Sequence, residues 1–135
     1  MTKNSLRIGI STRVVKYEKY AEKRDIISHD WINFFNALNF IPILIPNILN
    51  DVTSFLDSMN LDGIILSGGD NIGGFPERDQ TENEIIKFSI RKNIPLIGIC
   101  RGMQIINNFF GGTIKKNATT DHVGNKHKIL FRSEE

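Results

Sequence analysis

Short apolar runs separated by amphipathic stretches set the pattern of this chain. Residues 6–10 read as a β-strand that ends in the polar turn Ser11-Thr12-Arg13, and polar residues 16–23 read as an exposed loop. Ser28 stands where a helix cap is expected, ahead of Trp31, Phe34, Phe35 and Leu38, which are spaced as one apolar helix face. Trp31 is read as core packing. Residues 40–45 form a second apolar run, with Pro42 and Pro46 marking its limits. Asn50 or Asp51 then caps a helix through Val52, Phe55, Leu56 and Met59.

The third strand, residues 63–66, is almost wholly apolar and runs into Ser67-Gly68-Gly69-Asp70. A Gly-rich loop follows over residues 71–79. Thr81 and Glu84 have capping-box spacing, and predict a helix that starts there and continues through Ile85, Ile86, Phe88 and Ile90 to Lys92-Asn93. Residues 95–99 are the fourth strand. The helix after it carries Met103, Ile105, Ile106, Phe109 and Phe110, and Gly111-Gly112 stops it. Thr113-Ile114 and residues 129–131 are read as two further short strands.

Strands and helices therefore alternate, which predicts an α/β fold with a mostly parallel sheet flanked by helices. In such sheets the site lies at the carboxyl ends of the strands. Three polar turns fall there: Ser11-Thr12-Arg13, Ser67-Gly68-Gly69-Asp70 and Gly98-Ile99-Cys100-Arg101-Gly102.

Composition narrows the classes. At 135 residues, 40% hydrophobic and 24% charged, the chain suits a single domain. A net charge of +2 is too small to argue for nucleic acid or an anionic membrane. Its one cysteine cannot form an internal disulfide, so a reducing cytoplasm is expected. No apolar run approaches the length of a membrane span or a signal peptide. No metal or organic cofactor is expected.

Cys100 is the centre of the chemical reading. A Gly-x-Cys-x-Gly turn between strand and helix is the geometry of a nucleophile elbow, and a helix N-terminus favours a thiolate. The plain alternative is a buried structural cysteine. Attack on an acyl carbon would need oxyanion donors, for which the N–H groups of Arg101 and of Gly68 or Gly69 are placed. The alternative for Ser67-Gly68-Gly69-Asp70 is an ordinary βα turn.

The string from Gly98 through Cys100, Gln104 and Asn107 to Gly111-Gly112 resembles the nucleophile segment of the class I glutamine amidotransferase-like family. The string from Asp62 through Ser67, Gly68 and Gly69 to Asp70 resembles its oxyanion strand. Arg78-Asp79 and Glu82 resemble the γ-glutamyl hydrolase branch, the peptidase C26 group. Arg24-Asp25, Ser28 and Asp30-Trp31 resemble smaller hydrolases found with surface-polysaccharide genes, one activity of which removes glutamate from a γ-glutamyl-linked nucleotide amidate.

The resemblance, over residues 6–131, implies a flavodoxin-like sheet and hydrolysis of a γ-glutamyl amide through a thioester on Cys100. It implies oxyanion contacts from Gly69 and Arg101, with Gly68 as a further candidate. Substrate contacts would come from Gln104, Arg78, Asp79, Glu82 and His122. For Arg78, Asp79 and Glu82, ordering of the loop, helix capping and solvated charge stay open as alternatives. The partner is a small γ-glutamyl substrate, with a synthase or kinase of the same pathway as a further partner.

One part of the family pattern is missing. The family's base is the His of a His-x-Glu pair, but His122 and His127 stand in His-Val-Gly and His-Lys-Ile, and His29 falls in an early helix. The expectation is a chain that lacks the final strands of the family domain, with an exposed sheet edge or a bare face. Two other functions remain open: a glutaminase subunit that supplies ammonia to a synthase, and a non-catalytic module that binds γ-glutamyl groups.

Overall fold

The computed structural model describes residues 4–115, 126 and 128. Four strands, β1 (Arg7–Ser11), β4 (Ile41–Ile45), β5 (Gly63–Leu66) and β6 (Leu96–Gly98), form one parallel sheet in the order β4-β1-β5-β6. Between β1 and β4 lie an antiparallel pair, β2 (Arg13–Tyr17) and β3 (Glu22–Ile26), and helix α1 (His29–Ala37). Helices α2 (Val52–Ser58), α3 (Pro76–Lys92) and α4 (Arg101–Phe109) complete the chain order. The α/β expectation is met.

Strand alternation divides the core in two. Ile64 and Leu66 of β5 point to one face, where they pack with Leu56 of α2, Ile85, Ile86 and Phe88 of α3, and Ile105 of α4. Ile8, Ile10 and Ile65 point to the other, against Phe35 of α1. Among the described residues this second face has one helix over it. Ile97 of β6 is consequently 58% exposed, and Phe34, Leu38 and Ile99 are also exposed, so the predicted apolar face of α1 is buried only at Phe35. Among the described residues β4 and β6 are the edges of the sheet.

Several local expectations need correction. Residues 16–23 are exposed as expected but ordered: they are the tip of the β2–β3 hairpin, with a 3-10 turn over Glu18–Tyr20, and they are charged because only the hairpin's base meets the core. Arg24 sits 4.4 Å over the Tyr17 ring, and Lys23 pairs with Glu77 at 3.0 Å. Pro42 lies within β4 instead of ending it. It is tolerated because β4 is, among the described residues, an edge strand, where one missing N–H breaks no ladder on the open side.

Helix α3 starts at Pro76, five residues before the predicted capping box. Proline suits the first helical position, and Glu77 and Asp79 face the positive end of the helix. Thr81 is buried inside the helix and donates to the Glu77 carbonyl at 2.9 Å. Thr113-Ile114 is not a strand. Residues 129–131, His122 and His127 lie outside the described residues.

The caps of α1 and α2 are as read: Ser28 Oγ accepts from Asp30 N–H at 3.2 Å, and Asp51 accepts from Ser54 N–H at 3.0 Å. The backbone N–H of Ser54, then its hydroxyl, hold the Asp51 carboxyl below its ordinary value. A depressed folded-state value means that the cap contributes its full stability above the ordinary carboxylate range and loses it as pH falls through the folded value. Asp51→Ala should therefore lower the urea midpoint at pH 7, and the difference from wild type should shrink at acid pH. A gap that stayed constant with pH would show that the carboxylate charge plays no part.

Candidate active site

The three polar turns meet at the carboxyl ends of β1, β5 and β6. Ser67 N–H donates to Ser11 Oγ at 2.9 Å, and Ser67 Oγ donates to the Ser11 carbonyl at 2.7 Å, which locks the first two turns together. Ile99 N–H donates to the Leu66 carbonyl at 2.9 Å and ties in the third. The sheet order changes direction at β1, between β4 and β5, so the turns sit at the topological switch point.

Cys100 is exposed and heads α4, with φ 53° and ψ −110°. This strained conformation is unusual for a residue with a side chain, and such strain clusters at functional positions. It lets the strand turn sharply into the helix. The flanking glycines make room for the turn: a Cβ on Gly98 would fall 2.5 Å from the Gly102 carbonyl carbon, and one on Gly102 would fall 2.1 Å from the Leu66 oxygen. A Cβ on Gly68 would lie 3.3 Å from Cys100 Cβ, so the Ser67–Asp70 turn passes directly beside the thiol.

Behind that turn lies a buried ion network. Arg78 is fully buried. Its guanidinium donates to the carbonyls of Ser67 (2.9 Å), Gly68 (3.1 Å) and Gly69 (2.6 Å), and to Asp70 Oδ2 at 3.0 Å. Its Nε donates to Glu82 Oε1 at 3.0 Å. Glu82 also pairs with Arg101, which reaches on to Asp79. Asp79 in turn accepts from Gly73 N–H at 2.8 Å. These charges are not solvated, and they tie the turn beside Cys100 to the residue that follows Cys100.

The orientation of the turn follows from peptide planarity. In a trans peptide the carbonyl of one residue and the N–H of the next point in opposite directions. With the Ser67 and Gly68 carbonyls turned inward to Arg78, the N–H groups of Gly68 and Gly69 point away from it. Among the described residues these two N–H groups, and that of Arg101, have no hydrogen-bond partner. Gln104 lies one helical turn after Cys100 and is half-buried.

A cavity of about 250 Å³ opens beside the turn, lined by Arg13, Ser67, Gly68 and Gly69 on one side and Ile27 and Trp31 on the other. A larger apolar cleft of about 540 Å³ adjoins it, between Trp31 and Phe34 of α1 and the exposed Ile97 and Ile99. Reading the sequence assigned no role to Arg13 and treated Trp31 as core. The available signal for Arg13 was its place in the turn after β1, one of the three that converge.

The peptidase C26 profile matches residues 7–133. The chain belongs to the peptidase C26 family. It is 32% identical to the γ-glutamyl-CDP-amidate hydrolase of Campylobacter jejuni over 136 aligned positions, which cover 94% of this chain and 65% of that protein. A glutamine amidotransferase-like protein of Rickettsia prowazekii is 31% identical over 70% of this chain and 38% of its own length. A glutamine-hydrolysing GMP synthase of the Wolbachia endosymbiont of Brugia malayi is 39% identical over 59% of this chain and 16% of its own length. The chain thus spans less than two thirds of these C26-like and amidotransferase relatives. Among the described residues no helix is long and apolar enough to cross a membrane.

Proposed function

We propose that this chain carries the thioester-forming centre of a γ-glutamyl hydrolase. The observation that supports it best is the strained Cys100 between Gly98 and Gly102, with the backbone of Gly68 packed against it. In this reading Cys100 Sγ, as thiolate, attacks the γ-carbonyl carbon and a C–S bond forms. The carbonyl electron pair moves to oxygen, which accepts from the N–H groups of Gly69 and Arg101, with Gly68 adjacent. Collapse of that oxyanion breaks the C–N bond, and the amine leaves with a proton taken from solvent water. Water then releases glutamate and the free thiol.

Gln104, on the same face of α4 as Cys100, is the proposed contact to the glutamyl moiety. Buried Arg78 and Glu82, with Asp79, act by holding the turn in position. His122 is proposed as a further substrate contact. The similarity to the Campylobacter enzyme favours a γ-glutamyl nucleotide amidate as substrate; a role in surface-polysaccharide synthesis in the cytoplasm is part of the same proposal. The reading draws on no metal or organic cofactor. No His-x-Glu pair occurs in these 135 residues, so the general base is not supplied by that motif here. Thioester formation is the step that these residues are proposed to carry.

Alkylation tests the nucleophile. Iodoacetamide should modify Cys100 at neutral pH much faster than it modifies glutathione, and a γ-glutamyl amide should slow the reaction. Equal rates without protection would overturn the assignment.

The similarity to GMP synthases favours a second reading, in which the chain supplies ammonia to a synthase. Glutaminase activity should then rise when the partner is added, and full hydrolase activity without one would count against it.

A further inference from the structure

Arg13 is the one charged side chain on the wall of the 250 Å³ cavity beside Gly68 and Gly69, among the described residues. Its guanidinium lies directly on Gly69. A Cβ at that position would fall 2.8 Å from Arg13 Nε and 3.0 Å from Cζ, and Gly69 has φ +84°. Only glycine combines that backbone with room for the arginine. The side chain is 47% exposed, so its head reaches the cavity without being sealed in.

The charge of Arg13 is weakly matched. Among the described residues its one carboxylate neighbour is Asp70, at 3.5 Å, the outer limit of a hydrogen bond. Asp70 is committed elsewhere: its Oδ2 accepts from Arg78 at 3.0 Å and from Val14 N–H at 3.1 Å. A guanidinium has five N–H donors in a planar fork that matches a carboxylate. Here most of that fork is open to a cavity whose other walls are backbone, hydroxyl and apolar groups.

We propose that Arg13 anchors the free carboxylate of the glutamyl substrate in the cavity beside the Gly68-Gly69 turn. The assignment rests on the γ-glutamyl reading and deepens it. The reacting γ-carbonyl belongs at the Cys100 and Gly68 end, and the substrate's α-carboxylate reaches back along the turn to the guanidinium over Gly69. The cavity then reads the acid end of the substrate, which leaves the adjoining apolar cleft outside this recognition.

Three primary amides separate the contributions: glutamine, glutaramate (carboxylate kept, amine removed) and 4-aminobutanamide (amine kept, carboxylate removed). Each is tested for slowing iodoacetamide modification of Cys100, as the ratio of rates with and without amide, so that differences in thiol reactivity between variants cancel. In the wild-type chain, glutamine and glutaramate should protect at concentrations about ten- to a hundredfold below 4-aminobutanamide, as expected for a charge-assisted hydrogen bond. Arg13→Met should bring the three amides together, and Arg13→Lys should restore part of the difference. If both variants keep the wild-type ranking, Arg13 is not the anchor and the γ-glutamyl reading stands. If none of the amides protects the wild type, the γ-glutamyl reading fails and the Arg13 assignment falls with it.

Discussion

Glu82→Ala is expected to lower folding stability by about 3–5 kcal/mol, the usual effect of removing one partner from a buried ion pair. Glu82 is fully buried and is shared by two arginines that are themselves buried, Arg78 and Arg101. Its removal leaves Arg78 with Asp70 and Arg101 with Asp79 as their remaining acids. The consequence reaches the site, because Arg78 holds the carbonyls of Ser67, Gly68 and Gly69. Glu82→Gln keeps one acceptor and should lose less. Glu84→Ala is the comparison, since its pair with Lys87 is exposed at 3.4 Å and should change stability by about 0.5 kcal/mol or less. Urea unfolding of the three variants measures the differences. A Glu82→Ala midpoint close to that of Glu84→Ala would mean that the network does not stabilise the turn.

Gly102→Ala is expected to cost about 3 kcal/mol or more, at the upper end of overpacking effects. The added methyl would meet the Leu66 carbonyl oxygen at 2.1 Å. Its neighbour is strand backbone, which has no rotamer to change, so α4 must move away from β5 and β6. That motion would carry Cys100 away from Gly68, and protection of the thiol by a γ-glutamyl amide should fall with stability. Gly73→Ala separates this steric cost from a conformational one. Gly73 has φ +89° but open space around it, so alanine there should cost about 1 kcal/mol and leave the thiol protected. Similar urea midpoints for the two variants would show that close approach at Gly102 is not what limits the elbow.

Much of this architecture was legible along the chain. The four sheet strands are short apolar runs, of which β5 is buried on both faces, and the three turns at their ends were recognisable from polar and glycine residues. Ser28 and Asp51 cap α1 and α2 because side-chain capping is a local interaction. The elbow was legible for the same reason, since Gly98, Cys100 and Gly102 lie within five residues; the close approach of Gly102 to the Leu66 carbonyl is a tertiary contact.

Other features depend on partners far away in sequence. The β2–β3 hairpin has a polar pattern because it stands away from the core, so periodicity had no buried face to report. The capping-box spacing at Thr81 and Glu84 competed with Pro76, and proline's fixed φ prevailed at the helix start. Arg78, Asp79 and Glu82 look like ordinary surface charges until α3 packs against the β5 turn and α4, which brings Arg101 to Glu82 across 19 positions.

The chain order alone therefore places Cys100 on a sharp turn between β6 and α4, with Gly68-Gly69 at the end of a neighbouring strand, because both features arise from a few adjacent residues. Folding in three dimensions sets the inward direction of the Ser67, Gly68 and Gly69 carbonyls, the outward direction of the Gly68 and Gly69 N–H groups, and the position of Arg13 over Gly69. Those depend on a buried guanidinium and on side chains more than fifty residues apart, contacts that no local spacing encodes.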